Sequence, residues 1–369
     1  MKLEPALEAE RLPSPPQPPP VVSFFEFWPG WLFYAPVVAQ WIALGLRYGD
    51  LSLPTAANPT IAVGGLCGES KREILDQVTG AERDLLARYT SIVTGETDSP
   101  VDVDAAERAM VEARLDYPLV VKPDIGCNGT GVRLVHDRAA LSRYLSAYPR
   151  STRVLLQEFI PDDGEAGLFY IRHPDEPRGR ITSITLKFPP FVTGDGRSTL
   201  RQFILADPRA GRLAALYLPR LADRQDEVPR QGELVRLVFV GNHCKGSMFR
   251  NGTGLATEAL TDCVERLARS LPDFYFGRID VRFGSVQALA RGEGLRVIEI
   301  NGVGSEATHV WDPETSLLEA WRAQFFHYGA AFRIAAANRA RGYKPAGIKE
   351  MWRRWRNQTR LMAAYPIND

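Results

Sequence analysis

Cysteine is scarce in this chain: four residues in 369, at positions 67, 127, 244 and 263, with no C-x-x-C pair and no Cys/His cluster. That spacing speaks against a zinc site and fits a reducing compartment. An excess of charge of one sign is lacking too. The formal net charge is +1, so bulk electrostatics call for no polyanionic partner such as nucleic acid. No Ser-His-Asp or Cys-His set stands out among the few histidines, so nothing in the sequence points to nucleophilic catalysis. Hydrophobic content of 45% and charged content of 24% are those of a globular protein with a sizeable core.

Long uncharged runs are rare, with one exception. Residues 1–20 are expected to be a disordered Pro-rich arm, not a secretory signal, with six prolines between 13 and 20. From Trp28 to Leu46 there follow nineteen residues without a charge, interrupted by Pro29 and Pro36. The length approaches a membrane span, and Trp28, Trp31, Tyr34 and Trp41 suit a headgroup region. Three readings stay open for residues 24–46: a spanning or re-entrant segment, an interfacial helix, and a buried or partner-binding helix. If the segment spans a membrane, Arg47, Lys71 and Arg72 set the following domain on the cytoplasmic side. Near the C-terminus, residues 333–362 carry nine Lys/Arg and one acid, Glu350. The helix expected over 348–362 either lies on an anionic membrane surface or packs on its own domain.

Between 51 and 115 the pattern predicts a strand at Thr60–Gly65, helices over Glu69–Val78 and Ala81–Tyr89, and another within Val101–Leu115 that begins near Asp104. Beyond 115, strands rich in β-branched residues are expected at Leu119–Lys122, Val154–Phe159, Ile181–Lys187, Leu234–Val240, Gly277–Phe283 and Leu295–Ile300. Helices are expected over Arg138–Ala147, Thr199–Leu205, Thr257–Ser270 and Ser316–Ala337. Strands grouped together with helices between the groups predict an α+β fold.

Three motifs carry chemistry. In Tyr117–Val132 a strand delivers Lys122 into a loop with Gly126, Gly129 and Gly131. Glycines let backbone N–H groups approach a phosphate, and the lysine adds fixed positive charge. The spacing is neither a Walker A loop nor a Rossmann fingerprint. In Val154–Phe169 a strand leaves through a Pro-containing turn at Gln157–Ile160, and Glu158 and Glu165 flank a loop; such a connection offers backbone groups to a base and carboxylates to ribose hydroxyls. In Gly277–Glu306, Arg278, Asp280 and Arg282 share one strand face, and Glu299 and Asn301 share a face of a second strand. Asp280, Glu299 and Asn301 make an oxygen donor set suited to Mg²⁺, and Arg278 beside them suits a phosphoryl group or an oxyanion.

These motifs in this order resemble the ATP-grasp superfamily, and within it D-alanine–D-alanine ligase and the ligase part of cyanophycin synthetase, over roughly half the chain. The resemblance implies two α+β subdomains that clasp ATP and two Mg²⁺ ions, with Mn²⁺ as a substitute. Lys122 would bind phosphate and Gly126–Gly131 would form a mobile lid. Glu158, with Ile160, would sit at the adenine and Glu165 at the ribose. Asp280, Glu299 and Asn301 would hold metal, Arg278 would stabilise an acyl phosphate, and Lys187 would be a second phosphate lysine. Lys71 is the nearest match to the family's first phosphate lysine. The implied reaction joins a small-molecule carboxylate to an amine, with ATP converted to ADP and phosphate. The alternatives are an ATP-grasp phosphotransferase acting on a hydroxyl and a membrane-associated ATP-binding protein without ligase chemistry.

The expected organisation is an arm over 1–20, an apolar aromatic helical segment over 21–50, a short α/β region over 51–115, the ATP-grasp domain over 116–320 and basic helices over 321–369. Two features depart from the family. The region before the phosphate strand is shorter than the usual N-terminal domain, and it follows the apolar run. Lys245 and Arg250 are candidates to attract an anionic substrate, and His309 is a candidate for the acceptor site or for packing behind it.

Overall fold

A computed structural model describes residues 22–95 and 99–367; the Pro-rich arm expected over 1–20 lies outside them. The strands are β1 (Tyr89–Val93), β2 (Leu119–Pro123), β3 (Arg133–Val135), β4 (Arg153–Glu158), β5 (Gly164–Ile171), β6 (Arg180–Phe188), β7 (Phe191–Thr193), β8 (Leu234–Arg236), β9 (Met248–Asn251), β10 (Phe276–Phe283) and β11 (Leu295–Asn301). The α-helices are α1 (Gly30–Tyr48), α2 (Lys71–Asp76), α3 (Ser99–Glu112), α4 (Arg138–Ser146), α5 (Leu200–Ala206), α6 (Ala214–Arg220), α7 (Glu258–Ser270), α8 (Val286–Ala290), α9 (Leu317–Ala340) and α10 (Ile348–Ala364).

Three antiparallel sheets result, ordered β1-β4-β2-β3, β11-β10-β5-β6-β9 and β7-β8. With helices on their faces, this is an α+β architecture. In the first sheet, Leu119, Val121, Val154 and Leu156 pack against Val103 and Met110 of α3 and Leu141 and Leu145 of α4. In the second, Ile279, Val281 and Phe283 of β10 face Leu260, Val264 and Leu267 of α7. The opposite face divides. Its apolar end, Phe169 and Phe276, lies under Ala331, Phe332 and Ala335 of α9. Its polar end, with Arg278, Asp280 and Arg282, is left to form the floor of a cleft. Alternation along one strand thus covers one face with a helix and splits the other between core and site.

Four expectations are corrected. Thr60–Gly65 is not a strand: Val63, Gly64 and Gly65 have φ of 47°, 66° and 73°, and residues 62–65 make a 3-10 turn. The glycines serve close approach. A Cβ on Gly65 would sit 2.7 Å from Gly302 Cα, and Val303 and Gly304 donate backbone hydrogen bonds to Gly64 and Gly65. The helix expected over Ala81–Tyr89 is a 3-10 turn at Gly80–Leu85 followed by β1. The strand expected over Leu234–Val240 extends only to Arg236. The segment around Glu165, expected as a loop, is β5, buried along its whole length in the second sheet.

Among the described residues no helix is long and apolar enough to cross a membrane, so the spanning reading of 28–46 has no helix to carry it. One side of α1 packs beside α9: Trp321 Nε1 donates to Phe33 O at 3.0 Å, Gln40 Nε2 to Phe325 O at 2.8 Å, and Trp41 meets Phe332 edge-on. Its outer side exposes Trp31, Val38, Ile42 and Leu46. The basic α10 runs against the glycine loop and the 66–71 segment, with Ile348, Trp352 and Trp355 exposed.

Candidate active site

The cleft between the first and second sheets holds a cavity of about 800 Å³, and residues from all three motifs line it. Its floor is the β10–β11 pair. Arg278 lies opposite Asn301 and Asp280 opposite Glu299, and the register then shifts so that Val281 pairs with Val297. Ile298 is the extra residue of this bulge. The bulge lets Val297 and Ile300 both enter the core while Glu299 and Asn301 stay on the cleft side. It also turns the Ile298 carbonyl toward the first sheet, where it accepts from Lys122 Nζ at 2.9 Å and Gln157 Nε2 at 3.2 Å.

Three lysines converge on this floor. Lys122, on β2, also donates to Gln157 Oε1 at 2.8 Å. Burial pushes its ammonium down to about 8, with the neighbouring Lys71 adding to the effect against the pull of Glu299. Lys187, on β6, lies 3.1 Å from Glu165 and 3.2 Å from Asp280. Burial works to lower its ammonium, but Asp280 and Glu165 outweigh it and the group is raised. Lys71 comes from far earlier in the chain. Ser70 caps α2 and donates to Asp124 Oδ1 at 2.9 Å, and Arg72 N donates to the same oxygen at 2.9 Å. These bonds set Lys71 Nζ 3.4 Å from Glu299 and 2.5 Å from the Gly126 carbonyl. Burial again opposes the charge and Glu299 and Glu69 raise it.

The carboxylates respond in kind. Burial works to raise Asp280, but Arg278 and Lys187 hold it below the usual range; Glu299 is likewise lowered by Lys71 and Lys122. Arg278 grips Asp280 with two bonds, Nε to Oδ1 at 2.8 Å and Nη2 to Oδ2 at 3.0 Å. Asn301 Nδ2 lies 3.4 Å from Asp280 Oδ2. Among the described residues no group of three or more His, Cys, Asp and Glu is arranged to hold a metal. The expected set is of another composition, two ionised carboxylates and an amide on paired strands. Its chemistry fits a hard cation that also takes oxygens from a phosphate chain.

Gly126 and Gly129 are on the roof, with φ of 155° and 66°; Gly131, with φ of 73°, belongs to the same loop but is not on the cavity wall. A Cβ on Gly129 would stand 2.2 Å from Val240 Cγ1. α10 lies across this loop: Tyr365 donates to Ile125 O at 2.8 Å, while Gln358 accepts from Gly68 N at 2.5 Å and reaches Cys127 Sγ.

Not every expected residue points as expected. Glu158 borders the cavity, but its carboxylate pairs with Arg88 at 2.7 Å on the exposed side. Glu165 is tied to Lys187 and lies 3.6 Å from Arg282. Ile160 lines the wall. Lys245 and Arg250 are not on it, and Arg250 pairs with Asp312 at 3.0 Å. His309 is also off the wall, lowered by burial. Sequence reasoning gave no role to Gln157, Glu69, Arg282 and Glu306, and it missed a whole wall from residues 26–34, which faces the cavity together with residues 239–244. Gln157 was findable, since it alternates with Leu156 on a strand already identified; the wall was not, because no local pattern links it to the motifs.

No family model matches the chain. Over 104 residues it is 33% identical to the glutathione biosynthesis bifunctional protein GshAB of Streptococcus thermophilus, covering 26% of this chain and 13% of that protein. Over 46 residues it is 46% identical to the D-alanine–D-alanine ligase of Pediococcus pentosaceus, covering 12% of this chain and 13% of that protein. The matched stretches thus span about an eighth of the relatives' own length. Among solved structures, the D-alanine–D-alanine ligase from Bacillus anthracis aligns over 77% of this chain and 70% of that one, with a TM-score of 0.41 and 14% identity, too distant to carry an assignment. The relatives and the motifs agree: this chain is similar to ATP-grasp ligases.

Proposed function

We propose that the chain is an ATP-dependent ligase that joins a carboxylate to an amine through an acyl phosphate, in a cleft between two α+β subdomains. The observation that carries this reading is the convergence of Lys71, Lys122 and Lys187 with Asp280, Glu299 and Asn301 on one cavity wall. Three buried ammonium groups match a triphosphate, and the three oxygen donors match Mg²⁺. The likeness to D-alanine–D-alanine ligase supports the choice of ligase over phosphotransferase.

In this reading Lys122 from the first sheet and Lys187 from the second hold phosphate oxygens, with Lys71 reaching in from the start of α2, so nucleotide binding draws the two sheets together. Asp280, Glu299 and Asn301 would hold Mg²⁺, which when bound neutralises phosphate charge and polarises the transferred phosphoryl group. Arg278, anchored by Asp280, is placed to stabilise the anionic species that follow. Glycine-loop closure under α10 excludes water, which otherwise hydrolyses an acyl phosphate. No protein nucleophile is needed, in line with its absence from the motifs.

The test is ADP release with Mg·ATP against a matrix of acids and amines (amino acids, peptides, simple amines), with product mass by mass spectrometry. A ligase shows release that depends on both partners and an amide product. A phosphorylated hydroxyl product, or nucleotide binding without turnover on any pair, overturns the reading.

A further inference from the structure

The cavity has two chemically different ends. The charged end is described above. The other is formed by Trp28, Tyr34, Leu213, His243, Phe249 and Trp311. These rings are held firmly. Trp311 lies 4.6 Å from Phe33 and stacks on His243 at 4.4 Å and 11°, and Phe25 stacks behind Phe33. α1 and the residues before it supply part of this wall, so the uncharged apolar run helps build the site.

One carboxylate stands at the junction of the two ends. Glu306 lines the cavity and accepts from Tyr34 Oη at 2.8 Å and Trp311 Nε1 at 2.7 Å, with Gln324 Nε2 also donating. A carboxylate has about four acceptor positions, so three donors leave one for a ligand. Its three partners are neutral side chains. The nearest cation, Arg278, spends Nε and Nη2 on Asp280 and points Nη1 at the Glu306 backbone carbonyl at 3.1 Å.

No cation answers it at the aromatic end. Among the described residues, the Lys and Arg on the cavity wall are Lys71, Lys122, Lys187, Arg278 and Arg282, all at the charged end. Glu26 reaches the wall but is paired with Arg209. A ligand lodged against the aromatic rings therefore meets several π faces and one carboxyl, which burial pushes up from its ordinary value and which an incoming ammonium would hold in its charged form. That environment favours an ammonium through ion pairing and cation–π contact. It disfavours a carboxylate, which would be desolvated beside Glu306 without a counter-charge.

We propose that this end takes the amine substrate, a primary amine on an aromatic or branched apolar body that carries no carboxylate of its own, with Glu306 and the Tyr34 and Trp311 faces as its recognition site. The assignment of the bound amine as a substrate rests on the ligase reading; the binding preference does not.

Matched probes test it: 2-phenylethylamine, phenylalanine (the same amine with a carboxylate) and 2-phenylethanol (the same body without charge). Binding to the full chain is measured by calorimetry with Mg²⁺ and a non-hydrolysable ATP analogue present. The amine is expected to bind roughly ten-fold or more tighter than either other probe, from one ion pair with cation–π support. Glu306→Gln is expected to bring the amine down to the level of the alcohol and to leave the affinity for the ATP analogue unchanged. If that variant does not fold, the ranking of the three probes on the wild type decides alone. Phenylalanine or phenylethanol binding as tightly as the amine, no saturable amine binding, or an unchanged amine affinity in folded Glu306→Gln overturns the inference. Failure of the ligase reading shows separately, as no ADP release with any acid–amine pair while the probe ranking stands.

Discussion

Replacing Lys122 with methionine separates a ligand-binding lysine from a structural one. Lys122 is 6% exposed, and its value of about 8 against an ordinary 10.5 means that its charged form is disfavoured in the fold by about 3 kcal/mol. Methionine removes that cost. It orphans Gln157 Oε1, at about 1–3 kcal/mol, while the Ile298 carbonyl keeps Gln157 Nε2. The two effects nearly cancel, so stability stays within about 2 kcal/mol of the wild type. Nucleotide binding has no such compensation. Two of the three ammonium donors are used within the protein, and the third with its charge is worth about 1.5–3 kcal/mol to a phosphate oxygen, or roughly 10- to 150-fold in Kd. The sign of the pH effect follows. A lysine lowered by folding binds fewer protons in the native state than in the unfolded one, so wild-type stability rises between about pH 8 and 10.5. The variant lacks that rise. For the same reason, binding of Mg·ADP to the wild type near pH 9 takes up protons, because phosphate restores the charged ammonium. Calorimetry in buffers of different ionisation enthalpy, with urea titrations at several pH values, reads all three quantities. A variant whose Mg·ADP affinity is within two-fold of the wild type would refute the reasoning.

Glu299→Gln keeps the shape of the strand pair but removes the charge proposed to hold metal and the partner of Lys71; ADP release is expected to fall about 100-fold or more with the circular dichroism spectrum unchanged, and near-normal release contradicts the metal assignment. Gly129→Ala forces a non-glycine residue to φ of 66° and sets a Cβ 2.2 Å from Val240 Cγ1; stability should drop by about 1–3 kcal/mol. Adding Val240→Ala should recover only part of that drop, and full recovery would show that backbone strain plays no role. Glu26→Ala leaves the buried Arg209 guanidinium without its anion, at about 3–5 kcal/mol in chemical denaturation; a change below about 1 kcal/mol speaks against an essential pair.

Much of the scaffold was legible because short-range rules govern it. Thr199 and Ser316, read as helix starts, are the N-caps of α5 and α9, each in a capping box with the residue three positions on. β10 was readable from its alternation, since one face meets α7 and the other is partly polar. β5 hid because it is buried along its whole length, so no polar alternation marks it. The turn at 62–65 hid because its glycines answer to Gly302, far away in the sequence.

The sequence by itself determined the α+β class, the position of Lys122 before a glycine loop, the shared strand face of Arg278 and Asp280 and the shared strand face of Glu299 and Asn301, because side-chain periodicity and turn chemistry are local. Tertiary structure alone decided that a bulge at Ile298 keeps Glu299 in the cleft, that Asp124 holds Lys71 beside Glu299, and that α1 packs beside α9 and lends Tyr34 to Glu306. Each of these depends on hydrogen bonds or ion pairs between residues tens to hundreds of positions apart, and no window along the chain encodes them.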